Sequence, residues 1–119
     1  MTRPSSAAVA IGSLMSERSF MAAILELAAI YHYRTLHHRP AMRANGRWMT
    51  ATSGSGAKGE PDCFLYRPGK HLWIEAKAES GRLSPEQVET IAAMREAGCE
   101  VHVVRPSDLD SGALVELLR

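Results

Sequence analysis

Apolar residues recur along this chain with two different periods, and the changes between them divide it into elements. Between Glu17 and Tyr33, Phe20, Ile24, Leu27 and Tyr31 follow a three-four spacing that places them on one stripe of a helix. Ser16 is placed to cap that helix, Glu17 opens the stripe with an acid, and Glu26 falls on the opposite, solvated side. A strand is expected near residues 34–38. Two further runs, Cys63-Phe64-Leu65-Tyr66 and Leu72-Trp73-Ile74, have the apolar and aromatic content of strands, and Arg67-Pro68-Gly69-Lys70 between them carries turn residues, which predicts a β-hairpin. Ser84, Pro85 and Gln87 spell a capping box at the start of a helix running to Ala97, with Gly98 as its stop. Gln87, Ile91 and Met94 form that helix's inward stripe. The segment Glu100–Val104 alternates, with Val101 and Val103 on one face, and a right-handed crossover would lay it parallel to its neighbour. After Arg105-Pro106, Ser107 can cap a last helix that ends in Leu114, Leu117 and Leu118.

Composition bounds this picture without changing it. A chain of 119 residues with 45% hydrophobic and 23% charged residues suits one folded core, here expected over residues 16–119 behind a flexible tail at 1–15. No apolar run reaches the roughly 18 residues of a membrane span, and Met1 to Leu14 does not read as a signal peptide. Cys63 and Cys99, each in an apolar strand context, are too few for a disulfide framework and are expected to be reduced. A cytoplasmic protein is the expectation.

The hairpin carries the chemistry. With the turn centred between Pro68 and Gly69, residues whose numbers sum to 137 face each other, and Asp62 and Glu75 are such a pair. Their Cβ atoms would lie about 4.5–5.5 Å apart on one face, close enough for a single cation to bridge both carboxylates. Lys77 shares that face. Oxygen-only ligands with room for water suit Mg²⁺, and Lys77 would stand beside an attacking water or a phosphate on which charge develops. The same residues also fit a surface hairpin whose acids pair with Lys77, Lys70 or Arg67 as solvated ion pairs. Glu17, at the head of the apolar stripe, fits either a site acid or a first-turn acid favoured by the helix dipole. Gln87 can cap its own helix and turn its amide to the site; the two uses are compatible.

Glu17 on a first helix, Gly59-x-Pro61-Asp62, Glu75-Ala76-Lys77 and Ser84-x-x-Gln87, in that order, resemble the VRR-NUC branch of the PD-(D/E)XK nuclease superfamily, most closely the small stand-alone members of phages and prophages. The resemblance spans residues 17–109. It implies an α/β fold with a restriction-endonuclease-like core, a central mixed sheet flanked by helices in the order α-β-β-β-α-β, and a C-terminal helix. It further implies metal ligation by Glu17, Asp62, Glu75 and the backbone carbonyl of Ala76, with Lys77 as the catalytic lysine and Gln87 as the supporting glutamine. The implied activity is Mg²⁺-dependent endonucleolytic cleavage of DNA, with Mn²⁺ able to substitute and no organic cofactor. The implied partners are branched DNA such as four-way (Holliday) junctions and a second copy in a homodimer, in a bacterial cell or phage-infected host. A flap- or end-directed nuclease, a nickase in a phage complex, or a DNA-binding module that does not cleave are the alternatives.

Charge adds a substrate-facing segment. The net charge is only +1, yet no Asp or Glu occurs between Ala28 and Gly59, where Arg34, Arg39, Arg43, Arg47 and Lys58 are basic and His32, His37 and His38 can add to them. Such a segment suits phosphate contacts, and these residues with His37 are the expected DNA-binding set. Trp48 could stack on bases, whereas Tyr31 and Tyr33 close the helix stripe and are expected to pack inward. His37 and His38 beside Cys63 raise zinc, but no paired ligand spacing supports it. The glycines of residues 54–59 lack a Gly-Lys-Ser/Thr ending and lead into a strand, so a loop over the site is expected there rather than a phosphate-binding loop.

Overall fold

The computed structural model describes residues 15–37, 40–42, 48–50 and 57–119. The expected tail, His38, Arg39, Arg43, Arg47 and most of the expected loop over the site therefore lie outside the described residues. The first helix, α1 (Glu17–Ile30), starts where Ser16 accepts from the Ser19 N–H. It ends three residues earlier than its apolar stripe predicts. Tyr33 N–H returns to the Ala28 carbonyl at 2.9 Å and His32 N–H to Ala29 at 3.0 Å, while His32 takes φ +67°. This left-handed closure satisfies the last carbonyls and drops Tyr33, 6% exposed, into the core at the head of the first strand.

Strands β1 (Arg34–His37), β4 (Cys63–Arg67), β5 (Lys70–Ala76) and β6 (Val101–Val104) form one sheet in the order β1-β4-β5-β6. The first two pairings are antiparallel and β5–β6 is parallel, as the crossover through α2 (Pro85–Glu96) requires. In sequence, β1 and β4 are separated by a two-stranded antiparallel ribbon of β2 (Pro40–Met42) and β3 (Trp48–Thr50), a sheet of its own whose residues carried no readable pattern. The hairpin register is the expected one: Cys63 faces Ile74, Phe64 faces Trp73 and Leu65 faces Leu72.

Alternation then sorts the sheet into two unlike faces. Cys63, Leu65, Leu72, Ile74 and Val104 point to one side, where Phe20, Ile24 and Ala28 of α1 and Leu114 and Leu118 complete the core, each of these residues at most 4% exposed. The other face carries Phe64, Tyr66, Trp73 and Glu75, and α2 covers only its β6 side, where Ile91 and Val101 are buried and Arg95 donates twice to the Val101 carbonyl. Because β6 is covered on both sides, its buried residues are Val101 and Val104, on opposite faces, rather than Val101 and Val103. Cys99 precedes β6 in a connection and is half-buried, not in a strand. The expected last helix is two: α3 (Ser107–Asp110), capped without a side chain, and α4 (Ala113–Leu118), divided at Gly112 with φ +81°. No helix of the described residues is long and apolar enough to cross a membrane.

A single 3₁₀ turn, Ala57–Gly59, lies directly on the first turns of α2 and leads to buried Pro61. A Cβ on Gly59 would come within 2.1 Å of the Glu86 carbonyl and 2.3 Å of Thr90 Oγ1. Glycine at this position lets the chain pass α2 and enter Asp62 just before β4. Gly59→Ala is expected to lower stability by about 1–3 kcal/mol, read from the urea midpoint, because backbone must move to admit the methyl group.

Candidate active site

Just before β4 begins, two side chains continue its ladder with β5. Asp62 N–H donates to Glu75 Oε2 at 3.0 Å, and Ala76 N–H donates to Asp62 Oδ2 at 2.8 Å. Each acid thus fixes the other's strand, and both carboxylates are held at the same end of the hairpin. From α2, Gln87 Nε2 donates to Glu75 Oε1 at 2.7 Å, while Gln87 Oε1 accepts from Ser84 N–H at 2.9 Å and Ser84 Oγ accepts from Gln87 N–H at 3.1 Å. The capping box is therefore complete and Gln87 reaches the acid as well, the two roles sharing one amide. Lys77 follows β5, with its N–H on the Val104 carbonyl at 3.0 Å, and its Nζ lies 3.6 Å from Glu75 Oε1 and 3.8 Å from Glu17 Oε1.

The family model for the VRR-NUC domain matches residues 14–108 of this chain. The chain belongs to the VRR-NUC family. It carries a nuclease domain, and the four-stranded mixed sheet with flanking helices is the restriction-endonuclease-like arrangement of that domain. Comparison with curated proteins and with solved structures finds no match.

The acid pair is electrostatically strained. Glu75 is only 1% exposed, and burial, followed by the Asp62 charge beside it, pushes its carboxyl up to about 8. Burial also raises Asp62 above its ordinary value, partly offset by its hydrogen bond from Ala76. Two acids so placed resist carrying two negative charges, and a cation between them removes that cost. The donors on hand, two carboxylates and the nearby Ala76 carbonyl, are all oxygen, which fits a hard divalent ion. Among the described residues no three His, Cys, Asp or Glu side chains gather closely enough to hold an ion by themselves. Glu17, with its side chain 53% exposed, meets the site through Lys77.

The remaining expected residues are distributed around this centre. Arg34 is exposed on β1, paired with Tyr66. His37 pairs with Cys63 and so lies on the core side of the sheet, opposite the Glu75 face. Lys58 has an exposed side chain and an ion pair with Glu86 at 3.2 Å. Burial pushes the Cys63 thiol up to about 12, keeping it protonated and inert.

A contact that no motif marks holds the connection between Lys77 and α2. Arg105 donates to the carbonyls of Ala78 and Gly81, both at 2.7 Å, while Glu79 Oε2 accepts from Ser107 N–H at 2.9 Å. Only the basic residue directly after the last strand could have signalled it. Arg105→Ala should raise amide exchange across residues 78–83, measured by mass spectrometry, more than across β4.

The sign of the Glu75 shift sets a second outcome. A carboxyl raised in the folded state binds its proton more tightly there than when unfolded, so its contribution is full below about 4.5 and is lost as pH rises towards about 8. Thermal melts of metal-free protein should therefore fall by an amount equivalent to a few kcal/mol across that window. Glu75→Gln should flatten the decline.

Proposed function

We propose that this VRR-NUC chain is a metal-dependent endonuclease that hydrolyses DNA phosphodiester bonds. The observation that carries the reading is the convergence of Lys77 and Gln87, from the hairpin's end and a facing helix, on the acid pair of half-buried Asp62 and buried Glu75. Asp62, Glu75 and the Ala76 carbonyl would hold Mg²⁺, or Mn²⁺ in its place, with Glu17 completing the set directly or through water. When bound, the ion supplies charge neutralisation and Lewis-acid polarisation at the phosphate.

The chain's own groups do the rest. Gln87 fixes the Glu75 carboxylate by donating to one oxygen while Asp62 N–H donates to the other, so the acid is oriented before substrate arrives. Lys77, suspended between Glu17 and Glu75, positions the attacking water and stabilises the negative charge that grows on the phosphate as the bond to the departing sugar oxygen lengthens. Exposed Arg34 and Lys58, with Arg39, Arg43 and Arg47 from the acid-free segment, would contribute phosphate contacts and a salt-sensitive affinity, whereas His37, on the core side of the sheet, is left out of this set. Resemblance to stand-alone relatives supports a homodimer acting on branched DNA, four-way junctions included, with one site in each copy.

The test is cleavage of labelled four-way junction, flap, duplex and single-stranded DNA in Mg²⁺ or Mn²⁺. Asp62→Ala and Lys77→Ala should each lower the rate by roughly a hundredfold or more, and Gln87→Ala by about tenfold. Cleavage that survives both of the first two substitutions would reject the site.

A further inference from the structure

The face of the sheet that ends in the acid pair is aromatic for the rest of its length. Counting back from Asp62 and Glu75, the next cross-strand pair is Phe64 and Trp73, with ring centroids 4.8 Å apart, and the one beyond is Tyr66 and His71. Phe64 also lies 5.8 Å from Tyr66 and 5.9 Å from His71, so the four rings form one continuous cluster. Successive pairs on a strand face are about 7 Å apart, which puts the Phe64–Trp73 pair one step from the acids. Beside the rings, β1 adds Leu36, 55% exposed, opposite Phe64, and exposed Arg34 opposite Tyr66.

This cluster is not core. Phe64, Tyr66 and Trp73 are only half-buried and His71 is exposed, whereas residues alternating with them on the same strands are fully buried. Helix α2 covers the β6 side of the face and leaves the part formed by β1, β4 and β5 without a helix among the described residues. No side chain on that part is acidic beyond Asp62 and Glu75, so nothing there repels a phosphate backbone, and Arg34 offers it a charge at the far end.

We propose that this aromatic face is a stacking platform for unpaired nucleobases of the DNA strand whose phosphate is held at the acids. The proposal rests on the nuclease reading and adds a substrate class to it: DNA with unpaired nucleotides immediately beside the cut. Two observations choose this occupant. The rings are continuous with the phosphate-handling site on one sheet face, within reach of the nucleotides that flank a phosphate held there. The rings are also partly exposed π surfaces flanked by a cation, the combination that binds single strands without sequence preference. Paired bases within a duplex have their faces covered by neighbours, so the platform discriminates for strands that are open.

The test separates binding from cutting. Single-stranded, gapped and fully paired oligonucleotides carrying 2-aminopurine at successive positions are bound by the full chain in EDTA, and the same DNAs are then cut in Mg²⁺ or Mn²⁺. The fluorophore should be quenched only where it is unpaired and within a few nucleotides of the mapped cut. Trp73→Leu should weaken binding to the open strands roughly tenfold more than binding to duplex, with Trp73→Phe restoring most of it. Circular dichroism checks each fold, and Phe64→Leu with the wild-type quenching map decides the matter if Trp73→Leu does not fold. Cleavage without such quenching, or equal losses on open and paired DNA, overturns the platform and leaves the nuclease reading standing. Position-specific quenching without cleavage in either metal supports the platform and overturns the nuclease reading. A dimer that dissociates on Trp73→Leu assigns the face to a second copy and overturns the platform.

Discussion

The exchange between Asp62 and Glu75 is the interaction on which the rest depends. Just before β4 begins the main chain has no strand residue to pair with β5, and the ladder would leave the Asp62 and Ala76 N–H groups to find other partners. Instead each acid side chain accepts from the backbone of the opposite strand. A structural requirement of the sheet and the placement of a carboxylate pair are met by the same two bonds. Neither acid can swing away without opening the hairpin end.

That economy has a cost, and the neighbouring elements show how it is contained. Burying Glu75 beside Asp62 disfavours their ionised forms, and Lys77 and Gln87 supply the compensation the protein itself provides. Gln87 can do so because the capping box fixes its amide at the first turn of α2, and α2 can approach because Gly59 has no side chain. Arg105 then ties the intervening connection down. The site is thus less stable than an apolar sheet end would be, and the surrounding caps, close contacts and clamps hold it in a geometry that an ion or a phosphate would complete.

Much of this was legible because it depends on local rules. A Pro-Gly turn sets the hairpin register, and that register alone places Asp62 opposite Glu75 and Phe64 opposite Trp73, so the aromatic ladder follows from the same sum. Ser84 and Gln87 announced their helix start. What sequence could not disclose came from tertiary demands. Helix α1 stops early with Tyr33 packed in the core and His32 in a left-handed conformation that no glycine or asparagine there marked. The C-terminal apolar residues break into two helices so that Leu114 and Leu118 can reach the sheet. Strand β6 loses its simple alternation because both its faces are covered. The ribbon of β2 and β3 arises where basic and small residues present neither period.

Core and site are finally two readings of one register. In β4 and β5 the odd-numbered Cys63 and Leu65 and the even-numbered Leu72 and Ile74 face α1 and α4, which obliges Phe64, Tyr66, Trp73 and Glu75 to face the other way. A slip of one residue between the strands would move the apolar set to the open face and separate the acids at once. The large burial energy of the core therefore fixes, within a fraction of a residue, the position of two charged groups that are themselves unfavourable to bury. This is how a short chain can hold a carboxylate pair firmly: the force that positions it acts on the opposite side of the sheet.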